Sequence, residues 1–306
     1  MKGTIRISTG SWYEISGEDG KIYQARMKGK LRLDERKNTN PVAVGDHVEF
    51  DIDVDGNSTV IKKILPRDNY IIRKPSNLSK QEHVIAANLD EVMIMATLAF
   101  PRTSQGFIDR ILVTAEAYEI AAAIVFNKTD LYDDAIKAQF KEMYDMYENI
   151  GYKCLGISVK TDINLEAVFS MLAHKITLIT GHSGVGKSTL LNKLVPELHL
   201  KTGEVSNYSL KGKHTTTFAA MFAVGEDTYV IDTPGIKDFG LIDMKPEELS
   251  HYFPEMRALL GQCRFSECLH ISEPGCAVLE AVKTGSIALS RYKSYLSMLG
   301  DEETHR

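Results

Sequence analysis

The sequence of 306 residues predicts three domains in series: a small β-barrel, an α/β domain and a mostly helical domain. Three observations support this division. Short stretches of alternating polar and apolar residues, separated by glycines, occupy the beginning of the chain. Strand-like and helical segments then alternate, as a doubly wound sheet requires. Three of the four cysteines fall in one short stretch near the end. We place the domains at residues 1–67, 68–243 and 244–306.

The first domain is predicted to be an OB-fold, because short alternating segments at 3–7, 12–15, 21–26 and 48–52 suit a small closed barrel. Such barrels bind nucleic acid through one strand face and its loops. Residues 1–80 hold 15 Lys and Arg against 11 Asp and Glu, although the whole chain has a net charge of −5. We therefore expect the barrel to bind RNA.

One basic cluster favours that interpretation. It comprises Arg26, Lys28, Lys30, Arg32, Arg36 and Lys37. The alternative is that these are solubilising charges on β edges, where charge discourages pairing with other chains. The segment that follows the barrel, residues 66–88, shows no clear period and is predicted to be a linker or strap.

The central domain contains a P-loop pattern, G-x-x-x-x-G-K-[ST], at residues 181–188. An apolar, β-branched run precedes it and a helical segment follows, which is the order that a phosphate cradle needs. Lys187 would reach the β- and γ-phosphates, and the Ser188 hydroxyl would ligate Mg²⁺. A glycine-rich turn with an exposed lysine is the alternative. The predicted phosphate-binding residues are Gly181, His182, Ser183, Gly184, Val185, Gly186, Lys187, Ser188 and Thr189.

A second motif, Asn127-Lys128-Thr129-Asp130, follows a predicted central strand. An ionised carboxylate only accepts hydrogen bonds, so Asp130 can pair with the N1–H and N2–H₂ donors of guanine but not with adenine. The motif therefore predicts a preference for GTP over ATP. Asn127 would brace the loop, Lys128 would cover the ring, and Ser158 lies where backbone would contact guanine O6. A solvated turn that opens the next helix is the alternative.

Two further segments suit the γ-phosphate side of such a site. Residues 211–217 resemble a mobile switch whose threonine senses Mg²⁺, and Thr216 is our predicted ligand, although the pattern does not distinguish among the threonines. Asp232 ends a strand-like run and would hold Mg²⁺ through water, with the Gly235 N–H directed at the γ-phosphate. Ile236 stands where Ras-like enzymes have a water-orienting glutamine, which predicts slow intrinsic hydrolysis.

The carboxyl-terminal segment carries a predicted metal site. Three thiolates and one imidazole complete a closed tetrahedral zinc set, which predicts one structural ion. Its residues are Cys263, Cys268, His270 and Cys276. A disulfide or isolated core cysteines are the alternatives, but the lack of a signal peptide and the apolar setting of Cys154 favour a reducing cytoplasm. No apolar run approaches the length of a membrane span.

The last helical stretch, residues 286–296, is expected to pack through its apolar side chains. These are Ile287, Leu289, Tyr292 and Leu296. Arg291 and Lys293 are expected to face either RNA or solvent.

The base-reading motif precedes the P-loop, the reverse of the order in a Ras-like GTPase. With the barrel and the cysteine cluster, this order makes the chain similar to the circularly permuted GTPases of small ribosomal subunit biogenesis, the RsgA family. The resemblance spans nearly the whole chain and rests on residues 127–130, 181–189, 212–216, 232–235 and the cysteine cluster.

The resemblance implies a cytoplasmic, monomeric enzyme that hydrolyses GTP to GDP and phosphate. Its partner would be the small (30S) ribosomal subunit and its rRNA, which would stimulate turnover and so time release late in assembly. It also implies a hydrophobic residue in place of the catalytic glutamine, as at Ile236, and a histidine as its substitute, His214. Lys187 and Thr216 complete the expected catalytic set.

Two other functions stay open from the sequence. One is a P-loop ATPase or small-molecule kinase, for which Asp130 would be unimportant. The other is a zinc-containing RNA-binding protein that holds GTP as a switch without turnover.

Overall fold

The computed structural model describes residues 1–27, 41–52, 59–73, 83–198, 219–232 and 244–303. Within them, the strands of the first domain are β1 (Lys2–Ser8), β2 (Tyr13–Gly17), β3 (Ile22–Met27), β4 (His47–Ile52) and β5 (Thr59–Ile64). They form a closed barrel in the order β1-β2-β3-β5-β4, with β4 paired back onto β1. Alternate residues such as Ile5, Ile15 and Phe50 are buried and fill the interior. The predicted OB-fold barrel is confirmed.

A short hairpin follows the barrel, where the sequence predicted a linker or strap without strands. Strands β6 (Tyr70–Arg73) and β7 (His83–Ala87) pair antiparallel. The prediction was wrong because runs of four and five residues are too short to show a period. Ala87 N, at the end of β7, donates to the carbonyl of Val44 over 2.9 Å, and Asn88 Nδ2 donates to the carbonyl of Gly45 over 2.9 Å. These bonds attach the end of the hairpin to the first domain.

In the part of the central domain that the structure describes, the strands are β8 (Glu91–Ala96), β9 (Ala121–Phe126), β10 (Lys153–Gly156), β11 (Ile176–Thr180), β12 (Ala220–Gly225) and β13 (Thr228–Asp232). These six strands form a sheet in the order β10-β9-β8-β11-β13-β12. All neighbours are parallel except β12 and β13. Every residue of β8 is buried, as expected for a parallel strand covered on both faces. Strand β12 also pairs with β1, which makes the barrel and the sheet continuous.

The described residues of this domain form four α-helices: α1 (Gln105–Ala117), α2 (Asp134–Ile150), α3 (Leu165–Leu172) and α4 (Lys187–Leu194). Side-chain caps set two of their starts, because an oxygen at the N-cap satisfies a backbone N–H of the first turn. Ser104 accepts from Phe107 N at the start of α1, and Asp133 accepts from Ile136 N at the start of α2.

The carboxyl-terminal region is mostly helical, as predicted. Its helices are α5 (Pro254–Arg257), α6 (Ala277–Thr284) and α7 (Leu289–Glu303). Phe253, Met256 and Tyr295 are buried in its core, which Val113 of α1 joins. None of the described helices is long and apolar enough to cross a membrane.

Two expectations for the last helix were wrong. Arg291, expected to face RNA or solvent, is fully buried, and Leu289, expected to pack, is 55% exposed. Helix α7 begins at Leu289, so that residue occupies an exposed position in the first turn, whereas Arg291 points inward. Ile287 and Tyr292 are buried as expected.

Candidate nucleotide site and metal centre

The two nucleotide motifs meet at the carboxyl edge of the parallel sheet. The P-loop joins β11 to α4, and the base-reading tetrapeptide follows β9, with β8 between the two strands. Ligands of open α/β sheets bind at this edge, beside the point where the strand order reverses. The fold therefore brings together motifs that the sequence holds far apart.

The buried side chain of Asn127 connects three loops. Its Nδ2 donates to the P-loop carbonyl of Val185 over 2.8 Å, and its Oδ1 accepts from Val159 N over 3.1 Å. Its own carbonyl accepts from Tyr132 Oη over 3.1 Å. Because an amide offers both donors and an acceptor, this one residue can fix the base loop against both neighbours.

Glycines are required where the P-loop approaches the base loop and strand β8. A Cβ at Gly186 would overlap Asn127 Nδ2, and a Cβ at Gly181 would overlap the carbonyl oxygen of Met95. Both glycines also have positive φ, 108° and 147°, values that side chains disfavour. The P-loop glycines thus serve packing as well as phosphate access.

The carboxylate of Asp130, which is predicted to read the base, is held in place by a serine. Ser158 Oγ donates to Asp130 Oδ1 over 2.6 Å and also accepts from Thr161 N over 3.2 Å. Ser158 is fully buried, whereas Asp130 is exposed at the edge of the sheet. The serine therefore orients a carboxylate that remains accessible to a ligand.

Lys128 lies beside this carboxylate in a left-handed backbone conformation, with φ of 66°. Its Nζ donates to the carbonyl of Phe100 over 2.6 Å. Burial lowers the pKa of Lys128, and the charge of Asp130 opposes that shift. The contact ties the base loop to the segment that links β8 to α1, which the sequence analysis had not connected with the site.

The P-loop lysine is largely buried and bonded to its own loop. Lys187 Nζ donates to the carbonyl oxygens of Gly181 and His182. Burial lowers the pKa of Lys187, and Asp232 opposes the shift. Asp232 is buried at the end of β13 and pairs in register with Ile179 of the P-loop strand. An ammonium and a carboxylate are thus available where a triphosphate and its cation would bind.

One aromatic contact at the P-loop was missed by the sequence analysis. The ring of Phe107, on α1, stacks on the imidazole of His182, with centroids 3.7 Å apart and planes at 27°. Burial and the charge of Lys187 lower the pKa of His182. No sequence pattern marks a pair separated by 75 positions on different elements, so only the fold reveals it.

Several predicted residues lie outside the described part of the chain. His214 and Thr216 of the first switch are among them, as are Gly235 and Ile236 after β13. The basic cluster also lies outside the described residues, except for Arg26. The guanidinium of Arg26 lies 3.8 Å from the centroid of the Trp12 ring.

The four predicted metal ligands converge in the carboxyl-terminal region, with their ligand atoms all within 4.8 Å of one another. Cys263 Sγ lies 3.9 Å from Cys276 Sγ, and His270 Nδ1 lies 3.3 Å from Cys276 Sγ. A tetrahedral zinc ion with Zn–S bonds of about 2.3 Å places sulfurs about 3.8 Å apart. The donor set and its spacing therefore fit zinc.

The loop around this cluster is held by groups that are not ligands. The Glu273 carboxylate accepts from the backbone N–H groups of residues 269, 271 and 272 over 2.7 to 2.9 Å. Tyr292 Oη donates to His270 O over 2.6 Å, and Tyr295 Oη donates to Leu269 O over 2.7 Å. Hydrogen bonds from groups around the ligands, like these, orient a metal-binding loop.

Comparison with known families settles the relationship of the chain. A family described as RsgA GTPase matches residues 64–242, and one described as RsgA N-terminal domain matches residues 2–60. The chain belongs to the RsgA GTPase family. The family accounts for the reversed order of the two nucleotide motifs and makes the chain a GTP hydrolase, with GTP, GDP and Mg²⁺ as its ligands.

Relatives and solved structures agree with this assignment over the full length. The "Small ribosomal subunit biogenesis GTPase RsgA" of Christiangramia forsetii is 50% identical, with 100% of this chain and 98% of the relative covered. A Bacteroides thetaiotaomicron relative, named with the same words followed by "2", is 49% identical over 99% of this chain and 97% of its own length.

Two crystal structures share the fold. YjeQ from Thermotoga maritima is 36% identical with a TM-score of 0.78, covering 98% of this chain and 97% of its own. YloQ, described as a circularly permuted GTPase, is 28% identical with a TM-score of 0.75, covering 100% and 96%. The predicted circular permutation is therefore confirmed, and the ATPase alternative loses its support.

Proposed function

We propose that this GTPase binds the small (30S) ribosomal subunit and its rRNA late in assembly and times its own release by hydrolysing GTP. The observation that carries the GTP-binding part of the proposal is the Asn127 amide, which joins the base loop to the phosphate loop through Val185. The names of full-length relatives at about half identity support the partner. We further propose that the enzyme is cytoplasmic and monomeric, with domains at 1–67, 68–243 and 244–306.

In the proposed site, Asp130 selects guanine while Ser158 orients it, and Asn127 and Lys128 support the base. Residues 181–189 surround the phosphates, with Lys187 stabilising charge during transfer and Ser188 on Mg²⁺. Asp232 holds the cation through water, and Gly235 contacts the γ-phosphate. Thr216 completes the cation's ligands.

Water activation is proposed to fall to His214, since Ile236 has no polar atom to order water. A histidine titrates near neutral pH and can accept a proton from water. His214→Ala should lower subunit-stimulated turnover while leaving GDP affinity near that of the unchanged protein. Equal turnover in the two proteins would remove His214 from the mechanism.

We propose that the Cys263, Cys268, His270 and Cys276 cluster holds one structural Zn²⁺. Four protein atoms would fill all four positions of a tetrahedral ion, which would leave no position open for a water nucleophile. The metal would therefore stabilise the helical domain and take no part in hydrolysis.

We propose that the barrel contributes to RNA binding through Trp12 and Arg26. Trp12 lies in the β1–β2 connection and is 45% exposed, with the Arg26 guanidinium over its ring. In OB-folds, the first connection and the second and third strands form the usual oligonucleotide surface. Trp12 is also the one tryptophan of the chain, so quenching of its fluorescence by single-stranded RNA tests the contact directly, and an unchanged emission would exclude it.

The decisive experiment for function measures phosphate release from GTP with and without purified small ribosomal subunits. We expect slow release alone and a large acceleration by small subunits, but not by large subunits. Lys187→Ala should abolish both rates, whereas the matched control Lys193→Ala, on the exposed side of α4 where Lys193 pairs with Asp162, should retain them. A rate that small subunits leave unchanged would remove the ribosome from the proposal.

A further inference from the structure

A buried charge cluster joins the carboxyl-terminal region to helix α1. Arg291 of α7 has no exposed surface. Its Nη1 donates to Asp109 Oδ1 over 2.6 Å, and its Nε and Nη2 donate to Glu255 over 2.7 and 3.2 Å. Tyr147 Oη donates to the same Asp109 oxygen over 2.7 Å. Because the guanidinium fork is planar and rigid, these bonds fix the direction as well as the distance between α1 and α7.

A buried charge cluster of this kind contributes little net free energy to folding. Removing a guanidinium and carboxylates from water carries a large desolvation penalty, and well-packed apolar residues often do as well or better in such positions. Asp109 Oδ2 is buried and has no hydrogen-bond partner among the described residues, so the carboxylate is only partly compensated. A role in fixing the geometry of α1 accounts for the cluster better than a contribution to stability does.

Helix α1 also contacts the P-loop, through Phe107 and its stack on His182. Phe107 and Asp109 are two residues apart, which corresponds to about 200° around an α-helix of 3.6 residues per turn. The first turns of α1 therefore lie between the P-loop on one side and the Arg291 cluster on the other. A shift or rotation of α1 would change both contacts together.

The contact continues to the phosphate-binding lysine. The carbonyl of His182 accepts a hydrogen bond from Lys187 Nζ over 2.9 Å. The stacked ring thus restrains the residue whose backbone helps to place the ammonium. From α7 to Lys187, every step is a direct contact or lies within one helical turn.

We propose that Arg291 is a positioning residue for the phosphate-binding loop, acting through Asp109, α1 and the Phe107–His182 stack. Docking of the carboxyl-terminal domain therefore sets nucleotide affinity. Since coupling between two sites is reciprocal, bound nucleotide also changes how firmly that domain is docked. The inference rests on the proposed role of residues 181–189 in binding phosphate.

The test measures GDP affinity of the full-length, zinc-loaded protein by calorimetry. Arg291→Lys keeps the charge but loses the fork, and Phe107→Leu keeps apolar volume but loses the stack. Each should weaken GDP binding about three- to tenfold, the range expected for residues coupled to a site. The double variant should bind GDP with about the same affinity as the single variant that binds it less tightly, because both changes interrupt one path.

Arg257→Lys is the matched control. Arg257 also joins the carboxyl-terminal region to α1, through Glu116 over 2.8 Å, but at the last turn of the helix and half exposed. It should change GDP affinity less than about twofold, as expected for an exposed pair.

A spectroscopic readout separates positioning from general stability. The His182 imidazole protons should be shifted upfield by the stacked ring, and both Phe107→Leu and Arg291→Lys should move these signals toward those of an unstacked histidine. If Arg291→Lys does not fold, Asp109→Asn serves instead, because it keeps the side-chain shape and leaves Arg291 paired with Glu255.

The proposal is overturned if the Arg291 or Asp109 variant folds with unchanged GDP affinity and unchanged His182 signals. It is equally overturned if the two single effects multiply in the double variant. Failure of the unchanged protein to bind GDP would instead refute the proposed function, so the two failures are distinguishable.

Discussion

The metal centre takes its ligands from one short segment, in which Cys263 and Cys276 are 13 positions apart. The nucleotide site joins Asn127 to Val185 across 58 positions and two strands. The first site is local, and the zinc proposed there would supply much of the folding free energy of its segment. The second is placed by the edge of a sheet with an extensive core of its own. A site that depends on strand order in space, and not on order along the chain, tolerates circular permutation.

The sharpest test of this contrast is metal removal. Chelation, or Cys268→Ser, should unfold the segment from 263 to 276, because a structural zinc contributes about 10–16 kcal/mol of apparent binding free energy at pH 7. Hydrogen exchange should show loss of protection there but not in β8. Cys154→Ser, which alters a buried cysteine outside the cluster, should keep the metal. Simultaneous loss of protection in β8 would show that the two regions do not fold independently.

Asp130→Asn should change the base that is bound. Guanine loses its acceptor, so GDP affinity should fall about 10²- to 10⁴-fold, as for sites that leave a buried polar group unpaired. Xanthosine diphosphate should then bind better than GDP, because the asparagine amide can donate to the extra carbonyl of xanthine. Competition binding measures both changes.

Asp134→Asn is the control for that exchange, since the Asp134 side chain is fully exposed. Retention of guanine preference by the Asp130 variant would show that another group reads the base.

The same contrast, between features set by a short segment and features assembled by the fold, separates what the sequence predicts from what it does not. The cysteine cluster, the P-loop and the base motif could be predicted because each needs particular residue types at fixed spacing. The order of elements followed from alternation of strands and helices. By contrast, the Phe107–His182 stack and the burial of Arg291 depend on how α1 packs between two domains. A charged residue in a helix is predicted to be exposed when its partners are unknown, and the sequence does not show that Asp109 and Glu255 lie close to Arg291.

Gly186→Ala tests the contact between the two motifs. The added Cβ meets Asn127 Nδ2 and sits at a φ of 108°, so we expect a loss of about 1–3 kcal/mol of stability from strain together with weaker GDP binding. Gly151→Ala is a matched control, since its φ is 110° and no atom lies within 4 Å of the added Cβ. Thermal unfolding of both variants separates two effects: both carry the backbone strain of a positive φ, but only Gly186→Ala adds the overlap with Asn127. Equal losses would mean that Asn127 does not restrain the P-loop.

Ser158→Ala should have the smallest effect. It removes one hydrogen bond to Asp130, which corresponds to about 1 kcal/mol, or roughly a fivefold loss of GDP affinity. Ser170→Ala removes a comparable hydrogen bond on the exposed face of α3 and should leave affinity unchanged. A Ser158 variant that binds GDP normally would show that Asp130 needs no support.

The most direct measurement compares GDP and ADP binding to the full-length protein by calorimetry. If the loop after β9 and the loop after β11 form one guanine site, GDP binds and ADP is weaker by about 10³-fold or more, as expected when Asp130 meets an acceptor on the base. Equal affinities for the two nucleotides would contradict the account, because Asp130 would then not contribute to recognition of the base.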